Sequence, residues 1–138
     1  MPLEGLRFLP NAELIQPAEY EAVARAAVSV GFRKFRLTGG EPLLRLDIVE
    51  IVERLARVPG VEGLALTTNA LLLPELAAPL KRAGLGRINI HLDSLNPETV
   101  ARQMRWGSFE KIWEGIMAAE AAGLTPIKMN AVVAAGYN

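Results

Sequence analysis

The chain has 138 residues, 51% of them hydrophobic and 22% charged, with 15 Lys and Arg balanced by 15 Asp and Glu. That apolar content can bury one core, and the cancelled charge leaves no footprint for nucleic acid or an anionic membrane as principal partner. No apolar run is long enough to span a bilayer, the start Met1-Pro2-Leu3-Glu4-Gly5 lacks the order of a secretion signal, and zero cysteines exclude disulfides and thiolate-held metal or iron–sulfur clusters within this chain. One cytoplasmic domain over residues 1–138 is the expectation.

Residues 1–16 hold Pro2, Gly5 and Pro10 without a sustained period and read as an irregular leader. Pro17 suits a first helical turn; Tyr20, Val23, Ala24, Ala27 and Val30 then recur at helical spacing, which predicts a core-facing helix stopped by Gly31. Residues 34–38 alternate polar and apolar as a strand does and run into Gly39-Gly40-Glu41-Pro42. Two successive glycines bare their backbone groups, and Pro42 keeps Glu41 out of helical conformation with its carboxylate expected to point outward. The loop reads as a cradle for a ligand that carries an ammonium group and polar backbone atoms of its own, or else as a plain turn.

Asp47 stands where an N-cap would, ahead of Ile48, Ile51, Val52 and Leu55 on one helical stripe. A second strand over 63–67 leads into Thr68-Asn69-Ala70, and a helix over 74–83 carries Leu76, Ala77 and Leu80 on one face. The third strand, 87–92, runs into Asp93-Ser94-Leu95-Asn96-Pro97. Asn96 and Pro97 predict the start of a short helix to about residue 104. Ser108 predicts the cap of another with Phe109, Ile112, Trp113 and Ile116 in a stripe; Trp106 and Trp113 read as packing aromatics. Residues 126–133 form the fourth predicted strand.

Strands alternating with helices imply right-handed crossovers and a parallel sheet. Sorting each strand by its period of two puts Phe35, Leu37, Leu64, Leu66, Ile88, Ile90, Leu92, Ile127 and Met129 on one face. Arg36, Thr38, Thr67, Asn69, Asn89, His91, Asp93, Lys128 and Asn130 fall on the other. A doubly wound sheet reads apolar on both faces, so this asymmetry points to a barrel or part of one, α/β in class, with about four parallel strands, helices outside and a polar interior. Arg36 and Lys128 suit phosphate or carboxylate there, with Thr67 and Asn69 as neutral partners. His91 and Asp93, two residues apart, form an acid–base or metal pair, or Asp93 orients the following turn. No catalytic residue and no metal ligand set is assigned.

Arg36-Leu37-Thr38-Gly39-Gly40-Glu41-Pro42, Leu66-Thr67-Thr68-Asn69, residues 88–95 and residues 126–133, in that order, closely resemble the centre of radical S-adenosylmethionine (SAM) enzymes, above all the GTP 3′,8-cyclases of molybdenum cofactor biosynthesis. The resemblance implies a partial (βα) barrel of the radical SAM type. It also implies that Gly39, Gly40 and Glu41 receive the methionine part of S-adenosylmethionine, and that Arg36, Thr67, Asn69 and Lys128 face GTP or another small nucleotide. His91 stands where that family carries a cofactor-contacting serine, and Ala70 where it carries glycine. The family's Cys-x-x-x-Cys-x-x-Cys loop for a [4Fe–4S] cluster precedes a Met-Pro like Met1-Pro2, so the chain is expected to be a truncated central piece, inactive alone. The alternatives are a remnant that serves as a nucleotide-binding or interaction module, and a fragment of a different radical SAM enzyme. Four strands cannot close a barrel, so the open edges are expected to invite self-association.

Overall fold

The computed structural model of the chain describes residues 13–103 and 107–136. The leader up to residue 12, the helix end at residue 104 and Trp106 lie outside them. Helix α1 (Pro17–Ser29) leads to strand β1 (Lys34–Leu37), a 3-10 turn (Pro42–Leu44), α2 (Ile48–Ala56), β2 (Gly63–Thr68) and α3 (Leu73–Arg82). Strand β3 (Arg87–His91), α4 (Pro97–Gln103), α5 (Phe109–Ala121) and β4 (Lys128–Asn130) complete the order. The four strands form one parallel sheet in the order β1-β2-β3-β4. Each strand therefore lies beside its sequence neighbour, the arrangement a (βα) barrel builds by repeated right-handed crossovers.

The sorting of faces holds in the register. Leu37, Leu66 and Ile88 line up across three strands, and Ile90 lies beside Met129. Leu66, Ile88 and Ile90 are fully buried under the helices, with Ile51 and Val52 of α2, Leu73 and Leu80 of α3 and Ile112 of α5. Helix α3 packs on α5 and α2 on β2. Met129 shares this face by register yet is 44% exposed, because β4 is the sheet's edge and only part of its apolar side is covered.

Three expectations are corrected. Helix α1 is not core-facing along its whole predicted stripe: Ala24 is buried, but Val23 and Val30 stand 66% and 73% exposed. The helix packs chiefly against α2, so only a narrow strip meets apolar neighbours. Glu21 of α1 instead bridges Arg25, at 2.7 Å, and Arg54 of α2, at 3.2 Å. Asp47 occupies the N-cap position of α2 without capping it. Its two carboxylate oxygens accept from Arg45 Nε and Nη2, at 2.8 and 2.7 Å, and these bonds hold its pKa below the ordinary aspartate value. Arg45 also donates to the Ile15 carbonyl, at 3.0 Å, and lies over the Tyr20 ring, which ties the entry to α1 to the loop after β1.

The third correction is the length of β4, three residues rather than the eight from 126 to 133. Pro126 has no N–H to contribute to a ladder. Beyond Asn130, the Val132 N–H is taken at 2.7 Å by Asp93 Oδ1 instead of a neighbouring strand. The caps predicted at Asn96 and Ser108 are present: Asn96 Oδ1 accepts from Glu98 N at 2.9 Å, and Ser108 Oγ from Lys111 N at 3.4 Å. Trp113 stacks on Phe109 with centroids 5.8 Å apart and remains 44% exposed. Among the described residues, no helix is long and apolar enough to cross a membrane.

Candidate functional site

The carboxyl ends of β1 and β2 are fastened together by one side chain. Glu41, which follows the glycine pair and precedes the 3-10 turn, accepts at Oε1 from the Leu43 N–H (3.1 Å) and the Thr68 hydroxyl (2.7 Å). Its Oε2 accepts from the Asn69 N–H at 2.9 Å. The expected outward carboxylate is thus overturned: Glu41 turns inward, toward the neighbouring loop. Period two puts Thr68 on the apolar face, where it is only 3% exposed, and a buried hydroxyl needs a partner. Glu41 supplies it, and the Thr68 oxygen in turn accepts from Ala70 N at 3.1 Å. In the sequence the polar parity of this strand falls on Thr67, and the signal for Thr68 is a threonine at an apolar position.

With Glu41 committed to the fold, the glycines ahead of it stand out. A methyl group added at Gly39 or Gly40 meets none of the described residues within 4 Å, and neither glycine adopts a positive φ. Packing and backbone conformation therefore leave both positions open to alanine. Two bare residues in succession also leave the backbone N–H and C=O groups open to approach. Such a cradle fits the amino-acid end of a ligand such as S-adenosylmethionine, with carbonyl oxygens for an ammonium group and N–H groups for a carboxylate. An iron–sulfur cluster does not fit: the chain has no cysteine, and no group of three or more His, Asp or Glu among the described residues could hold a metal.

The polar face is assembled by register. Thr67, Asn89 and Lys128 form one row across β2, β3 and β4, and Arg36, Ala65 and Arg87 form the row nearer the amino ends. His91 pairs with Asn130 in the row nearer the carboxyl ends. Arg36 and Lys128 are exposed, and among the described residues neither has a carboxylate partner. Their strands are three steps apart, about 14 Å in a flat sheet, too far for both cations to clasp one phosphate through their backbone positions alone. Asn69 is drawn partly into local structure: its Oδ1 accepts from Leu71 N at 3.0 Å and shapes the turn that Glu41 holds.

His91 Nε2 lies 3.0 Å from Asp93 Oδ2, so the two residues do pair. Asp93 Oδ1 accepts from the Val132 N–H, just past the end of β4, while Ser94 Oγ accepts from Asn96 N at 3.1 Å within the turn that follows β3. Two hollows lie elsewhere. One, of 280 Å³, is at the amino ends of the strands around Lys34, Gly63 and Arg87. The other, of 480 Å³, lies among the paired charges of α1 and α2. Parallel α/β folds place chemistry at the carboxyl ends of the strands, away from both hollows.

The model of the Radical SAM superfamily matches residues 5–138. Over all 138 residues the chain is 48% identical to the GTP 3′,8-cyclase of Pelotomaculum thermopropionicum, 46% to that of Geobacter sulfurreducens and 47% to that of Heliobacterium modesticaldum. Each match spans 100% of this chain and 42% of the relative, so the chain is less than half the length of these proteins.

Proposed function

Because the chain belongs to the radical SAM superfamily, we propose that its glycine loop receives the methionine end of S-adenosylmethionine and that its polar face receives GTP. In this reading it is the central part of a GTP 3′,8-cyclase of molybdenum cofactor biosynthesis. The observation that carries the proposal is the glycine pair, which no contact with the described residues requires. Gly39 and Gly40 would meet the cofactor's ammonium and carboxylate through their backbone. Glu41 would hold that loop against the end of β2. His91, at the end of β3, would take the place of the family's serine beside the cofactor. Arg36 and Lys128 would neutralise phosphate charge, with Thr67 and Asn69 offering neutral hydrogen bonds. When bound beside a reduced cluster, S-adenosylmethionine supplies radical chemistry; the thiolates for such a cluster are not in this chain.

Gly40→Ala tests the loop. At a position without positive φ and with free space, alanine should leave stability unchanged or raised by about 0.5 kcal/mol. It should nonetheless cost at least about tenfold in S-adenosylmethionine affinity by calorimetry, because the methyl fills the approach to the backbone. Equal affinity for both proteins would remove the cradle.

A second reading is a module that binds its ligands without reacting them. Under either reading, anaerobic incubation of the chain alone with iron, sulfide, reductant, S-adenosylmethionine and GTP is expected to yield no 5′-deoxyadenosine. Accumulation of that product would overturn the expectation.

A further inference from the structure

Asn89 is 1% exposed, and neither its Oδ1 nor its Nδ2 has a hydrogen-bond partner among the described residues. Buried side-chain amides are almost always paired, because an unpaired one forfeits its bonds to water without return. Its direction is set by its strand: Ile88 and Ile90 enter the core, so Asn89 points to the polar face. There it has Thr67 and Lys128 beside it in register, with Arg87 and His91 before and after it on the same strand face. The amide thus sits at the middle of a cross of four polar side chains, two of them cationic.

We infer that Asn89 is a ligand-reading residue, whose carboxamide takes the nucleoside part of a nucleotide held on this face. The inference rests on the nucleotide reading given above and adds a residue and a part of the ligand to it. Phosphate offers acceptors only and could satisfy the Nδ2 hydrogens, but the carbonyl oxygen needs a donor. A nucleobase edge or a ribose hydroxyl brings donor and acceptor together, whereas the flanking Lys128 and Arg87 suit the phosphates. Division of labour follows: the cations attract, and the amide discriminates.

The test compares the wild-type chain with Asn89→Leu and the smaller, β-branched Asn89→Val, by thermal melting and by titration with GTP, guanosine and tripolyphosphate. If the amide is held for a ligand, removing it relieves the empty protein, and at least one variant should melt about 3 °C higher than wild type. Both variants should bind GTP and guanosine at least about tenfold more weakly, since a site built to pair with a polar edge loses that discrimination, while tripolyphosphate binding stays unchanged. Lower melting of both variants would overturn the inference, because the amide would then be part of the fold. Unchanged affinity for GTP and guanosine in both variants would overturn it equally. Wild-type protein that binds no GTP would fail the nucleotide reading itself, and this assignment with it, a result distinct from wild-type binding that the variants retain.

Discussion

Glu41→Ala should unfold the chain at a markedly lower temperature, by about 10 °C, through loss of about 2–4 kcal/mol. The carboxylate is the acceptor for three donors at once, and one of them, the Thr68 hydroxyl, is nearly inaccessible to water. Alanine deletes the acceptor and leaves that hydroxyl to find a new partner in an apolar surrounding, the situation in which a lost hydrogen bond costs most. Glu41→Gln should be only partly tolerated, since its amide must place an NH₂ group against one of the existing donors. Melting of all three proteins at one pH checks the ranking. An alanine variant as stable as wild type would mean that Glu41 does not join β1 to β2.

Gly115→Ala should be at least as damaging, at about 3 kcal/mol or more, from a residue with no proposed ligand role. Gly115 lies in the middle of α5, where a Cβ would overlap the carbonyl oxygen of Ala70 and come within 3.0 and 3.1 Å of its carbonyl carbon and Cβ. The obstacle is backbone, held in turn by the Thr68 hydroxyl on the Ala70 N–H, so it cannot rotate away as a side chain would. Ala70 is itself fully buried, with φ of 70°, a conformation that glycine adopts more readily than alanine. Helix α5 therefore presses directly on the loop that Glu41 fastens. Urea denaturation should show a lower midpoint at unchanged slope; a midpoint equal to wild type would show that the helix can slide off the loop freely.

Much of this arrangement was legible in the residues because it depends on local period. Alternation in 34–37, 63–68 and 87–91 fixed which side chains share a face, and the register then aligned Thr67, Asn89 and Lys128 across strands that sequence alone can sort but not pair. Helical stripes such as Ile48, Ile51, Val52 and Leu55 are buried as their spacing predicts. What stayed hidden depends on partners distant in the chain. The inward turn of Glu41 requires the end of β2, 27 residues away, and the early end of β4 requires Asp93, 39 residues from Val132. The exposure of Val23 and Val30 reflects how little of α1 the rest of the chain covers, which no period in α1 records. Asn89 was visible as polar but not as buried, because alternation along one strand does not record what covers its face.

The succession β1-β2-β3-β4 has a consequence for how the molecule comes into being. Every strand docks beside the one made just before it, so no strand has to insert between two earlier ones or thread past them. During synthesis from the amino terminus, each new strand and helix can settle onto a finished predecessor as it leaves the ribosome. The sheet grows outward in the direction of translation, one unit at a time, with its newest edge always the next surface to be used.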